Sequence, residues 1–266
     1  MKPRALAIDL DGTLLSPSGE VSERNRRALL RARDAGLDIV LATARWYQLA
    51  LPVAESFGLW GPLIACQGAE VRRIRDGSDL LDQRLPAAFA DELFALCDAR
   101  RCLAWVPFEE EVLIKADGEI PGLPPGSRQV AQLGAASAGV PRMALLQGRD
   151  ICERVIRELA PRWDRRVRFA ESVSHRGKIV LTLTAAEVSK GTALAAACGD
   201  LGIEPRDVVA FGDAENDIEM FRVAGFAFAM GQAEESVRRA AHAVTGRCEA
   251  DGVAEAVERL LDRGLP

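Results

Sequence analysis

A doubly wound, Rossmann-like parallel α/β sheet, interrupted by a smaller inserted α+β domain, is the fold this sequence predicts. Three observations carry that expectation. Five short apolar runs, at 5–10, 37–42, 63–66, 208–211 and 226–230, are near-continuous rather than alternating, as parallel strands covered on both faces require. Helical patterns lie between or after them, which gives the strand–helix rhythm of crossover units. That rhythm breaks in the middle of the chain, where short strands follow one another.

In chain order, Ser22 is placed to N-cap a helix over 23–35, with Gly36 as its stop. Residues 67–84 read as a hairpin turning at Asp76-Gly77. A helix over 87–100 and strands over 103–106 and 112–115 come next. Residues 116–140, rich in Gly, Pro, Ser and Ala with little periodicity, read as one long loop. A strand over 143–147, a helix over 151–159 and strands over 166–170 and 178–184 complete the insert. A helix over 189–201 ends at Gly202 with Pro205 beyond, and helices over 233–241 and 253–261 finish the chain. The sheet domain is thus expected over 1–85 and 186–266, and the insert over 86–185.

The chain has 266 residues, 48% hydrophobic and 27% charged, enough to bury a core without disulfide or metal staples. With 34 Lys+Arg against 39 Asp+Glu the net charge is −5, which argues against nucleic acid as a partner. None of the six cysteines forms a C-x-x-C pair, so they read as small buried apolar residues in a reducing compartment. Two histidines, His175 and His242, are too few for a three-histidine metal site and argue against a His-centred triad. The N-terminal apolar run is short and broken by acids, unlike a signal peptide, and no run approaches the ~18 residues of a membrane span. The expectation is a soluble cytoplasmic protein with no membrane partner.

Chemistry-bearing residues gather at the ends of the expected strands, where open α/β sheets bind ligands. The first run ends in Asp9-Leu10-Asp11-Gly12-Thr13, the second in Thr43-Ala44-Arg45, the third in Gln67-Gly68, the fourth in Gly212-Asp213-Ala214-Glu215-Asn216-Asp217, and the fifth in Gly231-Gln232. Asp9 and Asp11, two carboxylates at the end of a buried strand, repel each other at low dielectric, and a divalent cation relieves that repulsion. Asp213 adds a further carboxylate, and an oxygen-only ligand set suits Mg²⁺. Taken alone, Asp-x-Asp-Gly is equally a surface turn. An EF-hand is excluded because Leu14 stands where its loop glycine belongs. Lys190, one of four lysines, opens a helix and can neutralise a phosphate or an aspartate, or be a solvated surface lysine. Thr43 can offer its hydroxyl to an anion or cap a helix. Arg45 can clamp a phosphate or be a plain surface charge.

In this order the residues resemble the haloacid dehalogenase-like superfamily, and within it the Cof-type phosphatases with a subclass IIB cap inserted after the third core strand. The resemblance covers both core segments. It rests on Asp9-Leu10-Asp11-Gly12-Thr13-Leu14, Leu41-Ala42-Thr43, Lys190, Gly212-Asp213-Ala214-Glu215-Asn216-Asp217 and Asp251-Gly252-Val253. It implies a Mg²⁺-dependent phosphatase acting on a small phosphorylated metabolite, such as a sugar phosphate, through an aspartyl-phosphate on Asp9. Asp11 would act as acid and then base, and give the metal its main-chain carbonyl. Asp9 and Asp213 would supply carboxylate ligands, and Asp217 a ligand through water or a support. Leu10, Thr43, Ala44, Arg45, Lys190 and Asn216 would surround the phosphate, and the cap would close over it. A phosphomutase and a phosphatase of phosphoglycerate-linked sugars are the alternatives within the family, and a silent ligand-binding member is the less favoured one, since it would be expected to have lost Asp9, Asp11 or Asp213, all present here; the protein would be a monomer or homodimer. The sequence departs from the family at Ala44 (usually Gly), Gln67 (usually Asn) and Gln232 (usually Asn).

Overall fold

The computed structural model describes residues 3–137, 139–173 and 177–265, so His175 lies outside the described residues. The elements in chain order begin with β1 (Ala5–Ile8), α1 (Glu23–Asp34), β2 (Asp38–Leu41), α2 (Tyr47–Ser56), β3 (Pro62–Ala65), β4 (Glu70–Arg73) and β5 (Asp79–Asp82). Then come α3 (Ala87–Asp98), β6 (Leu103–Pro107), β7 (Val112–Lys115), β8 (Ser127–Val130), α4 (Leu133–Ala136), β9 (Met143–Gln147), α5 (Arg149–Trp163), β10 (Val167–Val173) and β11 (Ile179–Ala185). The last set is α6 (Lys190–Leu201), β12 (Val208–Gly212), α7 (Ile218–Val223), β13 (Phe226–Ala229), α8 (Glu235–Ala240), β14 (Ala243–Val244) and α9 (Gly252–Arg263). The chain divides into two compact units, 1–81 with 189–266, and 82–188.

The first unit is built on a parallel sheet in the order β14-β13-β12-β1-β2. An isolated parallel bridge between Ala42 and Ile64 connects β2 to β3, which continues into the β3-β4-β5 sheet. In β1, Leu6 and Ile8 join one buried cluster with Leu29, Phe57, Val253 and Val257, while Ala5 and Ala7 join a second with Leu194, Ala197, Met220 and Phe221. Alternate residues thus serve opposite faces, and both faces are covered. This is why the run shows no polar alternation. The register aligns Ile8 with Phe211 on one side and Leu41 on the other, so the strand ends carrying Asp9, Thr43 and Asp213 lie at one edge of the sheet. Asp9 N–H donates to Phe211 O at 3.0 Å.

The second unit has a six-stranded sheet, β10-β11-β9-β6-β7-β8, with α3 and α5 contributing Phe89, Leu93, Ile151 and Val155 to its core. Here the structure corrects the expected loop over 116–140, which contains β8, parallel to β7, and the short α4. β8 is four residues long and only Val130 in it is buried, so it carries little apolar signal and is a strand by pairing. The helix expected over 151–159 runs from Arg149 to Trp163 and includes Pro161. The helix expected over 233–241 begins only at Glu235. Helices α2 and α7 lie outside the expected elements; α2 carries Pro52 and no side-chain cap, which hides it. Ser22 does cap α1, its hydroxyl accepting Asn25 N–H at 3.0 Å. All six cysteines are free and buried. No helix among the described residues is long and apolar enough to cross a membrane.

Candidate active site

The site forms in the first unit where β1, β3 and β12 end and α6 begins. Asp9 is 5% exposed and Lys190 1% exposed. Lys190 opens α6 behind Ser189, whose hydroxyl accepts Thr192 N–H at 3.0 Å and sets the first turn. From that turn the Lys190 ammonium donates to Asp9 Oδ1 at 2.5 Å and to Asp217 Oδ1 at 2.7 Å. Its alternative as a solvated surface lysine is thereby excluded. Asp217 is held from its other side, Oδ2 accepting the main-chain N–H of Asp213 at 3.0 Å and of Ala214 at 3.1 Å.

Asp9, Asp213 and Asp217 each present a carboxylate oxygen within 4.8 Å of the others. Burial pushes the Asp9 carboxyl up to about 8; Lys190 opposes this, while Asp217 and Asp213 add to it. Burial likewise lifts Asp213 to about 6, with Asp217 adding and Thr13 and Lys190 opposing. Burial works against the charge of Lys190, but Asp217 and Asp9 outweigh it and hold its pKa above the usual lysine value. Three carboxyl groups crowd one ammonium, so Lys190 alone does not offset the charge they carry when ionised. An all-oxygen set of this kind fits a hard divalent cation such as Mg²⁺.

Asp11 is not brought into this cluster. Its side chain is exposed and bound through both oxygens by Arg45, Nε to Oδ2 at 2.8 Å and Nη2 to Oδ1 at 2.5 Å. Asp9 therefore finds its like-charged neighbours across the sheet, in Asp213 and Asp217, rather than two residues along the chain. Arg45 is an ion-pair partner, and no plain surface charge. Thr43 is buried and does not cap α2, whose N-cap is Trp46; its hydroxyl oxygen accepts Arg45 N–H at 3.1 Å. That leaves its O–H able to donate. Leu10 is buried in the core, so its polar contribution is confined to the main chain, and Ala44 is half-buried between Thr43 and Arg45. Asn216 does not reach Lys190: its Nδ2 donates to Gln67 Oε1 at 2.7 Å, while its Oδ1 is buried without a protein partner.

Two supporting groups escaped sequence reasoning. The Thr13 hydroxyl donates to Asp213 Oδ1 at 3.1 Å, and Gln232 Nε2 donates to Gly12 O at 2.5 Å. Both stand in segments already singled out at strand ends, but only folding shows what they touch.

A family model described as haloacid dehalogenase-like hydrolase matches residues 6–257. The chain is 28% identical over 261 residues to a 5-amino-6-(5-phospho-D-ribitylamino)uracil phosphatase of Bacillus subtilis, covering 97% of this chain and 96% of that one. It is 28% identical over 258 residues to a phosphoglycolate phosphatase of Methanothermobacter thermautotrophicus, covering 97% and 99%. Among solved structures, the subclass IIB sugar phosphatase BT4131 superposes with a TM-score of 0.80 at 22% identity, covering 97% of this chain and 98% of that one.

Proposed function

This chain belongs to the haloacid dehalogenase-like hydrolases and is a phosphatase of that family, and on that premise we propose that it hydrolyses a small phosphorylated metabolite, a sugar phosphate foremost, through a phosphoryl group carried on Asp9. The observation that carries this reading is the buried contact of Asp9 with Lys190, set among Asp213 and Asp217.

A phosphate monoester repels anionic nucleophiles, and its uncatalysed hydrolysis is slow enough to need up to ~10²¹-fold acceleration. Lys190 offsets charge on Asp9 and on the phosphoryl oxygens. Asp9 attacks phosphorus, and the bond to the ester oxygen breaks. Asp11 gives a proton to the departing alkoxide, then takes one from the water that displaces Asp9. Both oxygens of Asp11 are engaged by Arg45, so these transfers follow release of that guanidinium. The Thr43 hydroxyl binds a phosphoryl oxygen. Asp9 and Asp213 would hold Mg²⁺ by their carboxylates and Asp11 by its main-chain carbonyl, and the ion, when bound, supplies positive charge opposite the transferring group. Asp217, saturated by Lys190 and two main-chain N–H groups, supports from behind. The inserted residues 86–185 are assigned the choice of leaving group.

The test is phosphate release from p-nitrophenyl phosphate with Mg²⁺ and its loss with EDTA, followed by a panel of metabolite phosphates. Asp9→Asn abolishes turnover and leaves the circular dichroism spectrum unchanged. Near wild-type activity in Asp9→Asn would overturn the nucleophile assignment. Transfer without free phosphate would favour a mutase.

A further inference from the structure

We propose that Gln232, at the end of β13, is a positioning residue for the cation site, its side-chain amide locking the Gly12 main chain against Asp213 and so setting where Asp213 stands relative to Asp9. The proposal rests on the metal-assisted reading above and deepens it.

Both ends of the Gln232 amide are used. Nε2 donates to Gly12 O at 2.5 Å, and Oε1 accepts Cys248 N–H at 3.0 Å. Gly12 is left-handed, φ +84°, and a Cβ there would overlap the Asp213 carboxylate, so the Gly12 backbone lies directly against that side chain. On the other side, Thr13 donates to Asp213 Oδ1 at 3.1 Å. Asp213 therefore lies against the segment after β1, and Gln232 ties that segment to the turn at Cys248 after β14. Leucine matches glutamine in bulk but makes none of these bonds. Asparagine keeps the amide and is one methylene shorter, too short to span Gly12 O and Cys248 N together. Groups that orient a metal ligand this way typically change metal affinity roughly 10–100-fold when removed.

The experiment is titration calorimetry of the full chain with Mg²⁺ alone, for wild type, Gln232→Leu and Gln232→Asn. It is paired with melting temperatures in EDTA and with kcat as a function of Mg²⁺. The expected result is Mg²⁺ binding weakened roughly 10–100-fold, with kcat recovering at saturating Mg²⁺ and the metal-free melting temperature held. Wild-type Mg²⁺ affinity in a folded Gln232→Leu overturns the proposal, as does a lowered metal-free melting temperature with affinity unchanged, the mark of a purely structural role. Should Gln232→Leu not fold, Gln232→Asn decides by the same two readouts. A wild-type chain that takes up no Mg²⁺ overturns the metal-assisted reading together with the proposal; one that binds, with variants that bind equally, overturns the proposal alone.

Discussion

At the residue scale, Lys190 shows how a buried charge is made tolerable. An ammonium out of water costs several kcal/mol unless partners replace its hydration, and Asp9 and Asp217 do so at 2.5 and 2.7 Å. Lys190→Met leaves those two carboxylates facing each other without a counter-charge. We expect kcat for phosphate release to fall roughly 10²–10³-fold at saturating Mg²⁺, the usual loss for one electrostatic stabiliser. A half-buried ion pair lies in the inserted unit, where fully buried Arg142 donates to Oδ1 of the more exposed Asp82 at 2.8 Å and Arg84 binds the same carboxylate. Burial works against the Asp82 charge, but Arg84 and Arg142 outweigh it and hold its carboxyl below the ordinary value. A lowered pKa contributes stability above the ordinary carboxylate range, and that stability disappears as pH falls through the folded value. Asp82→Asn should therefore cost about 1.5 kcal/mol in urea unfolding at pH 7, because it removes a charged acceptor from Arg142 and Arg84. The gap between variant and wild type should close below about pH 4, where the wild-type carboxyl also gains its proton.

At the element scale, the turn after β3 joins strand ends to α6. Cys66 and Gln67 have left-handed backbones, φ 50° and 63°, a strained state for residues with a Cβ. Gln67 is held there through its side-chain bond to Asn216, across the site from β12. Gly68 follows at φ +99°, and a Cβ on it would run into the Ser189 carbonyl and the Lys190 nitrogen. Those are backbone atoms at the helix start and cannot swing aside. Gly68→Ala is expected to destabilise by more than about 1 kcal/mol and to displace Lys190, lowering kcat well beyond the loss in folded protein. Chemical unfolding and phosphate release measured on the same preparation check this. Elements of this kind explain what the amino-acid string conceals. The apolar runs of β1, β2 and β12 announce themselves, whereas β8 exists through its pairing with β7 and the 66–68 turn through partners distant in sequence.

At the scale of the whole molecule, each unit closes its own core. Phe89, fully buried, packs edge-on against Trp163 at 5.6 Å and Phe169 at 5.8 Å in the inserted unit. Phe211 stacks on Phe228 at 5.3 Å in the other. Phe89→Ala should cost about 3–5 kcal/mol, the usual loss for a buried ring. In hydrogen-exchange mass spectrometry the added exchange should be confined to 82–188, with β1 and β12 as protected as in wild type. Exchange rising equally in both units would contradict two separate cores.

Reading the residues alone was enough for the parallel sheet and the interruption in its middle, because continuous burial leaves a local imprint on composition, and the resemblance of the strand-end motifs was enough for the family. It was also enough to single out Asp9, Asp11, Asp213, Asp217 and Lys190 as candidates, of which the structure brings all but the Asp11 side chain into one cluster. Folding alone decided how they pair: that Lys190 bridges Asp9 and Asp217, that Asp11 faces Arg45 instead of the cluster, and that Thr13 and Gln232 support Asp213 and its neighbour. Hydrogen bonds and ion pairs between residues two hundred positions apart depend on strand register and helix approach, to ångström accuracy. No local pattern encodes that.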